Sequence, residues 1–169
     1  MFERSSHFSG ISSKLFRSFE LTAALLFFSL ALMFTSANVY AEIFVSTSGS
    51  DSTGDGSIEK PFLTPYAAVK AANPDGETIT FRQGSYPITD EVRIYKPNMV
   101  FRSHPNEWAK LVAPINDNGV QQILWFKEPS IGGKVQRLEL VGGYLYTIKF
   151  ENKWNQVDSI HVNRNYLVE

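Results

Sequence analysis

Asp51, Thr53, Asp55 and Gly56 set side-chain oxygens at alternate positions ahead of a glycine, the pattern of the first half of a twelve-residue calcium loop. Such a loop closes with a bidentate acid at its twelfth position, and here that position is Phe62. The expectation is therefore a hydrogen-bonded Asx/Gly turn rather than a metal site. Lys149, Lys153 and Arg164 supply positive charge late in the chain. They could line the groove of a polymer, but the expected role is that of solvated charges that discourage pairing between sheet edges. Trp108, Trp125 and Trp154, with Tyr144 and Tyr146, carry the flat rings that stack on sugars, although core and corner packing is the expected use. His104 and His161 are far apart, each without a partner at metal-ligand spacing, and His104 beside Pro105 is expected in a surface turn. No phosphate-binding glycine loop, nucleophile elbow or kinase-like motif is present. Catalytic and metal-binding residues stay unassigned.

The elements that must position these side chains are short. Glu42 to Ser46 reads as a strand, and the Gly49 to Ser57 stretch as a loop. Thr64 is an N-cap candidate with Pro65 at the first helical position, which predicts a helix over Tyr66–Ala72 that stops at Asn73-Pro74. So short a helix is unstable alone and needs a surface to pack on. Strands follow at Thr78–Arg82, Glu91–Tyr95, Met99–Ser103, Lys110–Ala113, Gln121–Lys127, Val135–Val141, Tyr146–Glu151 and Ser159–Asn163, separated by turn residues such as Gly84, Asn116-Asp117-Asn118-Gly119 and Gly142-Gly143. Short strands of this kind suit a sandwich, a barrel or a solenoid. Thr78, Met99 and Gln121 begin strands at a separation of a little over twenty residues, which favours successive coils of a solenoid. Ile79, Phe81, Val100, Ile123, Trp125, Leu138, Leu140, Ile148 and Phe150 would then point inward, with the helix covering the first coil.

The first forty or so residues read as a targeting segment. Arg4, Lys14 and Arg17 form a basic leader, Leu21 to Phe34 is an uncharged apolar run, and Val39 and Ala41 suit a cleavage site. The apolar run is short against the roughly 20 residues of a bilayer span. Residues 1–41 are thus expected to be a signal peptide and residues 42–169 the exported domain, leaving no stable membrane span. The leader holds three of the 16 basic and two of the 17 acidic residues, so 13 and 15 remain and the formal charge is −2. No long-range field is there to gather nucleic acid. Without cysteines there are no disulfides, and a hydrophobic core must hold the domain.

The opening block resembles the entrance of secreted right-handed parallel β-helix proteins, the pectate-lyase-like fold. The resemblance rests on Phe44-Val45-Ser46, Gly49-Ser50-Asp51, Lys60-Pro61-Phe62, Pro74-Asp75-Gly76 and Arg82-Gln83-Gly84-Ser85-Tyr86. Val135 to Phe150 looks like paired strands of a coil with Gly142-Gly143 at the corner; Pro65 departs from the pattern, which usually has an aliphatic residue there. The implied fold is all-β: the first few coils of a β-helix with a short N-terminal capping helix.

The resemblance further implies a relative of polysaccharide lyases, which cleave uronic-acid polymers by β-elimination with calcium or basic side chains against the carboxylate and a Lys or Arg as base. Acidic polysaccharide is then the implied partner, calcium the implied cofactor, and the cell exterior or periplasm the implied location. Such chemistry needs a base of lowered pKa beside fixed positive charge. No residue here matches a catalytic motif of that family. The strand beginning near Ser159, with no closing cap after it, raises the expectation of a truncated member whose catalytic coils are missing. A non-catalytic carbohydrate-binding or surface module, or a functionless fragment, is the alternative reading.

Overall fold

The computed structural model describes residues 42–116, 119–159 and 161–163, and of residues 161–163 the backbone only. The expected signal peptide, residues 1–41, lies outside them, as do Asp117, Asn118 and Arg164.

Twelve short strands and one helix follow one another along these residues. They are β1 (Glu42–Val45), α1 (Pro65–Ala71), β2 (Thr78–Phe81), β3 (Gly84–Pro87), β4 (Val92–Ile94), β5 (Val100–Ser103) and β6 (Ala109–Val112). Then come β7 (Gln122–Phe126), β8 (Lys134–Gln136), β9 (Leu138–Val141), β10 (Tyr146–Phe150), β11 (Gln156–Asp158) and β12 (His161–Asn163). They assemble into three sheets, ordered β1-β2-β5-β8-β11, β3-β6-β9-β12 and β4-β7-β10. Every pairing between these strands is parallel. From β2 onward the chain visits the three sheets in the same order on each circuit. This is a mostly-β protein of parallel sheets with a single short helix among the described residues.

Three features of the expected strand order change. Gly84, taken as a turn, opens β3, and β11 forms where no strand is expected. Val135–Val141, expected as one strand, divides into β8 and β9 at Arg137, whose φ is +48°. The corner is tied by Arg137, which donates from its guanidinium to the Ser103 carbonyl, and by Ser103, whose hydroxyl donates to the Arg137 carbonyl. The expected repeat also fails at its third member. Thr78 pairs with Val100, but Val100 pairs with Lys134, while Gln122 lies in a different sheet. The cause is the long segment between Val112 and Gln122, where the preceding circuit needs only the stretch between Pro87 and Val92.

The interior is set by alternation along each strand. Ile79, Phe81, Met99, Phe101, Leu111, Leu124, Phe126, Val135, Leu138 and Leu140 are all buried. Ile123 is buried as expected, but two expected core residues are only half-buried: Val100 gives way to Phe101, and Trp125 to Leu124 and Phe126. A shift of one residue exchanges the faces of a strand, and these apolar neighbours did not reveal the phase. Ile148 and Phe150 are half-buried against the core. Inside, an aromatic column runs from Tyr86 through Phe81, Phe101 and Phe126 to Phe150, with successive ring centroids 5.3, 6.4, 5.8 and 4.8 Å apart. Each buried phenyl contributes roughly 1.5–3 kcal/mol of transfer free energy.

The helix starts as its sequence requires. Thr64 is extended, at φ −121°, and its hydroxyl accepts from the Ala67 N–H at 3.4 Å. Asp51 braces this entry: Oδ1 accepts from the N–H groups of Leu63 and Thr64, at 2.8 and 2.9 Å, and Oδ2 from the Thr64 hydroxyl at 2.6 Å. The helix contacts β1, β2 and β4, of which β1 and β4 are edge strands of their sheets. The Tyr66 hydroxyl fastens it to the turn before β4, donating to the Asp90 carbonyl at 2.6 Å and accepting from the Thr89 and Asp90 N–H groups.

Candidate functional site

Parallel in-register pairing stacks outward residues of neighbouring strands into rows. On the β4-β7-β10 sheet, Trp125 is the register partner of Arg93 on one side and of Lys149 on the other. The Arg93 guanidinium carbon lies 5.9 Å from the centroid of the Trp125 ring, and the Lys149 ammonium 4.5 Å from it. Lys127, just past the end of β7, brings its ammonium to 3.6 Å. Cation–ring attraction at exposed sites is worth about 0.5–1 kcal/mol apiece, enough to orient these long side chains. Exposed Tyr95 lies just past β4 and exposed Tyr146 opens β10.

Two carboxylates lie against the three cations. Glu91, buried at the start of the row, accepts from Arg93 Nε at 3.0 Å and from the Gln122 amide. Glu151, just past β10, is 2.9 Å from the Trp125 indole nitrogen, 3.2 Å from Lys127 Nζ, 3.3 Å from the Glu128 backbone nitrogen and 3.8 Å from Lys149 Nζ. Partial desolvation pushes the Glu151 carboxyl up. The hydrogen bonds from Lys127, the Glu128 N–H and the Trp125 indole, with the charge of Lys127, outweigh this and hold it below the ordinary carboxylate range. The face is therefore a cationic, aromatic surface that can hold an anion by charge-assisted hydrogen bonds.

The row joins two residues proposed from sequence, Lys149 and Trp125, and adds Arg93, Lys127 and Glu151. Their signal was present: Arg93/Tyr95, Trp125/Lys127 and Lys149/Glu151 are three pairs of polar or aromatic residues spaced two apart within strands. The register that aligns the three pairs was not. Lys153 is exposed beyond β10, and Arg164 lies outside the described residues. The tryptophans do not fill the core: Trp108 and Trp154 are exposed, the latter 81 % so, and phenylalanines occupy the interior.

The remaining candidates have structural partners. Asp51 braces the helix as described, and Asp55 Oδ1 accepts from the Ser57 N–H at 2.9 Å, an Asx turn. Among the described residues no group of three or more His, Asp or Glu side chains could hold a metal ion. His104 opens the expected turn, its carbonyl accepting from the Glu107 N–H at 3.0 Å, and its half-buried ring is tilted against Phe44 with Nδ1 3.3 Å from Glu107. The His161 backbone lies in register with Glu139. Among the described residues, Lys96 is a lysine whose ammonium burial pushes down. It donates to the carbonyls of Val69, Lys70 and Ala72, so it serves as a helix cap.

No protein-family model matches the chain, and neither a curated protein nor a solved structure matches it. Among the described residues no helix is long and apolar enough to cross a membrane.

Proposed function

We propose that this chain is an exported protein of the right-handed parallel β-helix kind, related to the polysaccharide lyases, that binds an acidic polysaccharide without cleaving it. The fold part of the reading is supported by three parallel sheets visited in constant order. A strand-to-parallel-strand crossover is right-handed in about 98 % of cases, which favours that hand. The binding part is carried by one observation, the Arg93–Trp125–Lys149 row with Lys127 beside it. Neighbouring positions in such a row stand about 4.8 Å apart, so Arg93 and Lys149, on either side of Trp125, present charges about 10 Å apart to a polymer lying across the ring. Cleavage is not part of the reading, because no residue of the row matches a catalytic motif of the lyases.

The test is calorimetric titration of the purified protein with polygalacturonate and alginate, and with neutral dextran as the control. Acidic polymers should bind and dextran should not. The double substitution Arg93→Ala/Lys149→Ala should weaken binding at least about tenfold, since each charge-assisted hydrogen bond contributes on the order of 1.5–3 kcal/mol. Binding that is unchanged in the double variant would place the polymer elsewhere. Growth of ultraviolet absorbance from unsaturated uronate, with or without calcium, would establish lyase activity and overturn the non-catalytic reading.

A further inference from the structure

Glu151 is held more like a bound ligand than like one half of a surface ion pair. Its Oε1 receives the Trp125 indole N–H and the Lys127 ammonium, and its Oε2 receives the Glu128 N–H. Both carboxylate oxygens are engaged, by donors of three kinds. These three donors belong to β7 and the turn that follows it, whereas Glu151 comes from the neighbouring chain segment after β10. The donor set therefore does not depend on Glu151 for its covalent placement. The Glu151 backbone is separately fixed, its N–H donating to the Phe126 carbonyl at 2.9 Å. Its side chain can leave by a rotamer change while that strand-pairing bond stays intact. The Glu151 and Lys127 side chains are 26 % and 24 % exposed and residue 151 as a whole is exposed, so a ligand in solution can reach the cradle.

We propose that the Glu151 carboxylate is an internal competitor: it occupies the place where a ligand carboxylate sits, and an acidic polymer binds by displacing it. The inference rests on the polysaccharide-binding reading and adds its regulation. An outgoing Glu151 is replaced by a group of the same charge and geometry, so the cradle's hydrogen bonds are exchanged rather than lost. The occupied state lowers apparent affinity by the fraction of molecules whose cradle is closed. A neutral ester cannot make the exchange, which makes the site selective for free uronate over esterified polymer. Exchange of Glu151 for a ligand carboxylate changes the surroundings of the Trp125 indole, so binding has a spectroscopic signature.

The experiment compares the wild-type protein with Glu151→Gln and with Glu139→Gln. Glu139 pairs with Lys110 at 3.0 Å on the β3-β6-β9-β12 sheet, so its substitution makes the same charge change away from the cradle. Polygalacturonate and its fully methyl-esterified form are titrated into each, with binding and tryptophan emission recorded and thermal unfolding checked. Glu151→Gln should bind polygalacturonate about tenfold more tightly, as expected if the closed state is about tenfold favoured in the wild type. Glu139→Gln should stay within about twofold of wild type, and the ester should not bind any of the three. Polygalacturonate should shift the emission of wild type but not that of a Trp125→Phe variant. Binding only by Glu151→Gln also supports the competitor. Equal or weaker binding by folded Glu151→Gln overturns it while leaving the polysaccharide reading intact. An equal gain in Glu139→Gln overturns it as a general charge effect. No binding by wild type or Glu151→Gln overturns both readings.

Discussion

The Lys96 ammonium donates to the Val69 carbonyl over 2.7 Å, tying the turn after β4 to the last turn of α1. It also donates to the carbonyls of Lys70 and Ala72. These are groups that a helix end leaves unpaired, and a cation there complements the helix dipole. Lys96→Met keeps the apolar stem and removes the donors. It should cost about 1–2 kcal/mol in urea unfolding, whereas Lys70→Met, at an exposed position, should cost less than about 0.5 kcal/mol.

Acid should weaken a second cluster. Glu107 accepts from Arg82 Nε at 2.9 Å on both oxygens and from the Gln83 N–H at 2.6 Å. The Arg82 hydrogen bonds foremost, with the Gln83 N–H and the charges of Arg82 and His104, hold its carboxyl down from 4.5 to about 2. The folded value lies below the unfolded one, so the stabilisation is fully present above the unfolded value and is lost as pH falls through the folded one. Wild type should lose its advantage over Glu107→Gln between about pH 5 and pH 2, measured as urea midpoints across that range. A constant difference between the two proteins would show that the carboxylate does not titrate in this window.

The phase of β5 can be tested directly. Phe101 is fully buried between Phe81 and Phe126, and Val100 faces outward. Phe101→Ala should cost about 3–5 kcal/mol and Val100→Ala no more than about 1 kcal/mol. The reverse order would mean that the strand is shifted by one residue.

Gly142 turns the chain between β9 and β10 with φ +89°, and a Cβ there would come within 1.9 Å of the Ala113 carbonyl oxygen. Gly142→Ala should therefore lower stability by at least about 2 kcal/mol, from left-handed strain and the displaced carbonyl together. Thermal unfolding beside Lys153→Ala, an exposed position, is the measurement.

Export, if the leader acts as its composition indicates, should release a chain that begins at Glu42. N-terminal sequencing of secreted material checks this. Intact chain in the membrane fraction would show an uncleaved anchor instead.

Local stereochemistry made several elements legible from the sequence. Thr64-Pro65 starts a helix, Asn73-Pro74 ends one, and Gly142-Gly143 turns the chain, because caps and turns depend on a few adjacent dihedral angles. Short strands were also legible, since their apolar residues and turn punctuation are local. The phase inside an apolar run was not: Leu124, Trp125 and Phe126 are equally plausible inward residues until their neighbours are known.

By itself, then, the sequence determined a cysteine-free chain of short strands, one capped helix and a composition without a strong net charge. The tertiary structure alone decided which strands pair. Parallel pairing joins residues a full circuit apart, and the circuit length changes where the chain from Ala113 to Gln121 intervenes. That long-range register brings Arg93 and Lys149 to opposite sides of Trp125, and the turn after β10 then lays Glu151 in the cradle. Pairing energy depends on partners distant in sequence, so no local pattern could have specified the site.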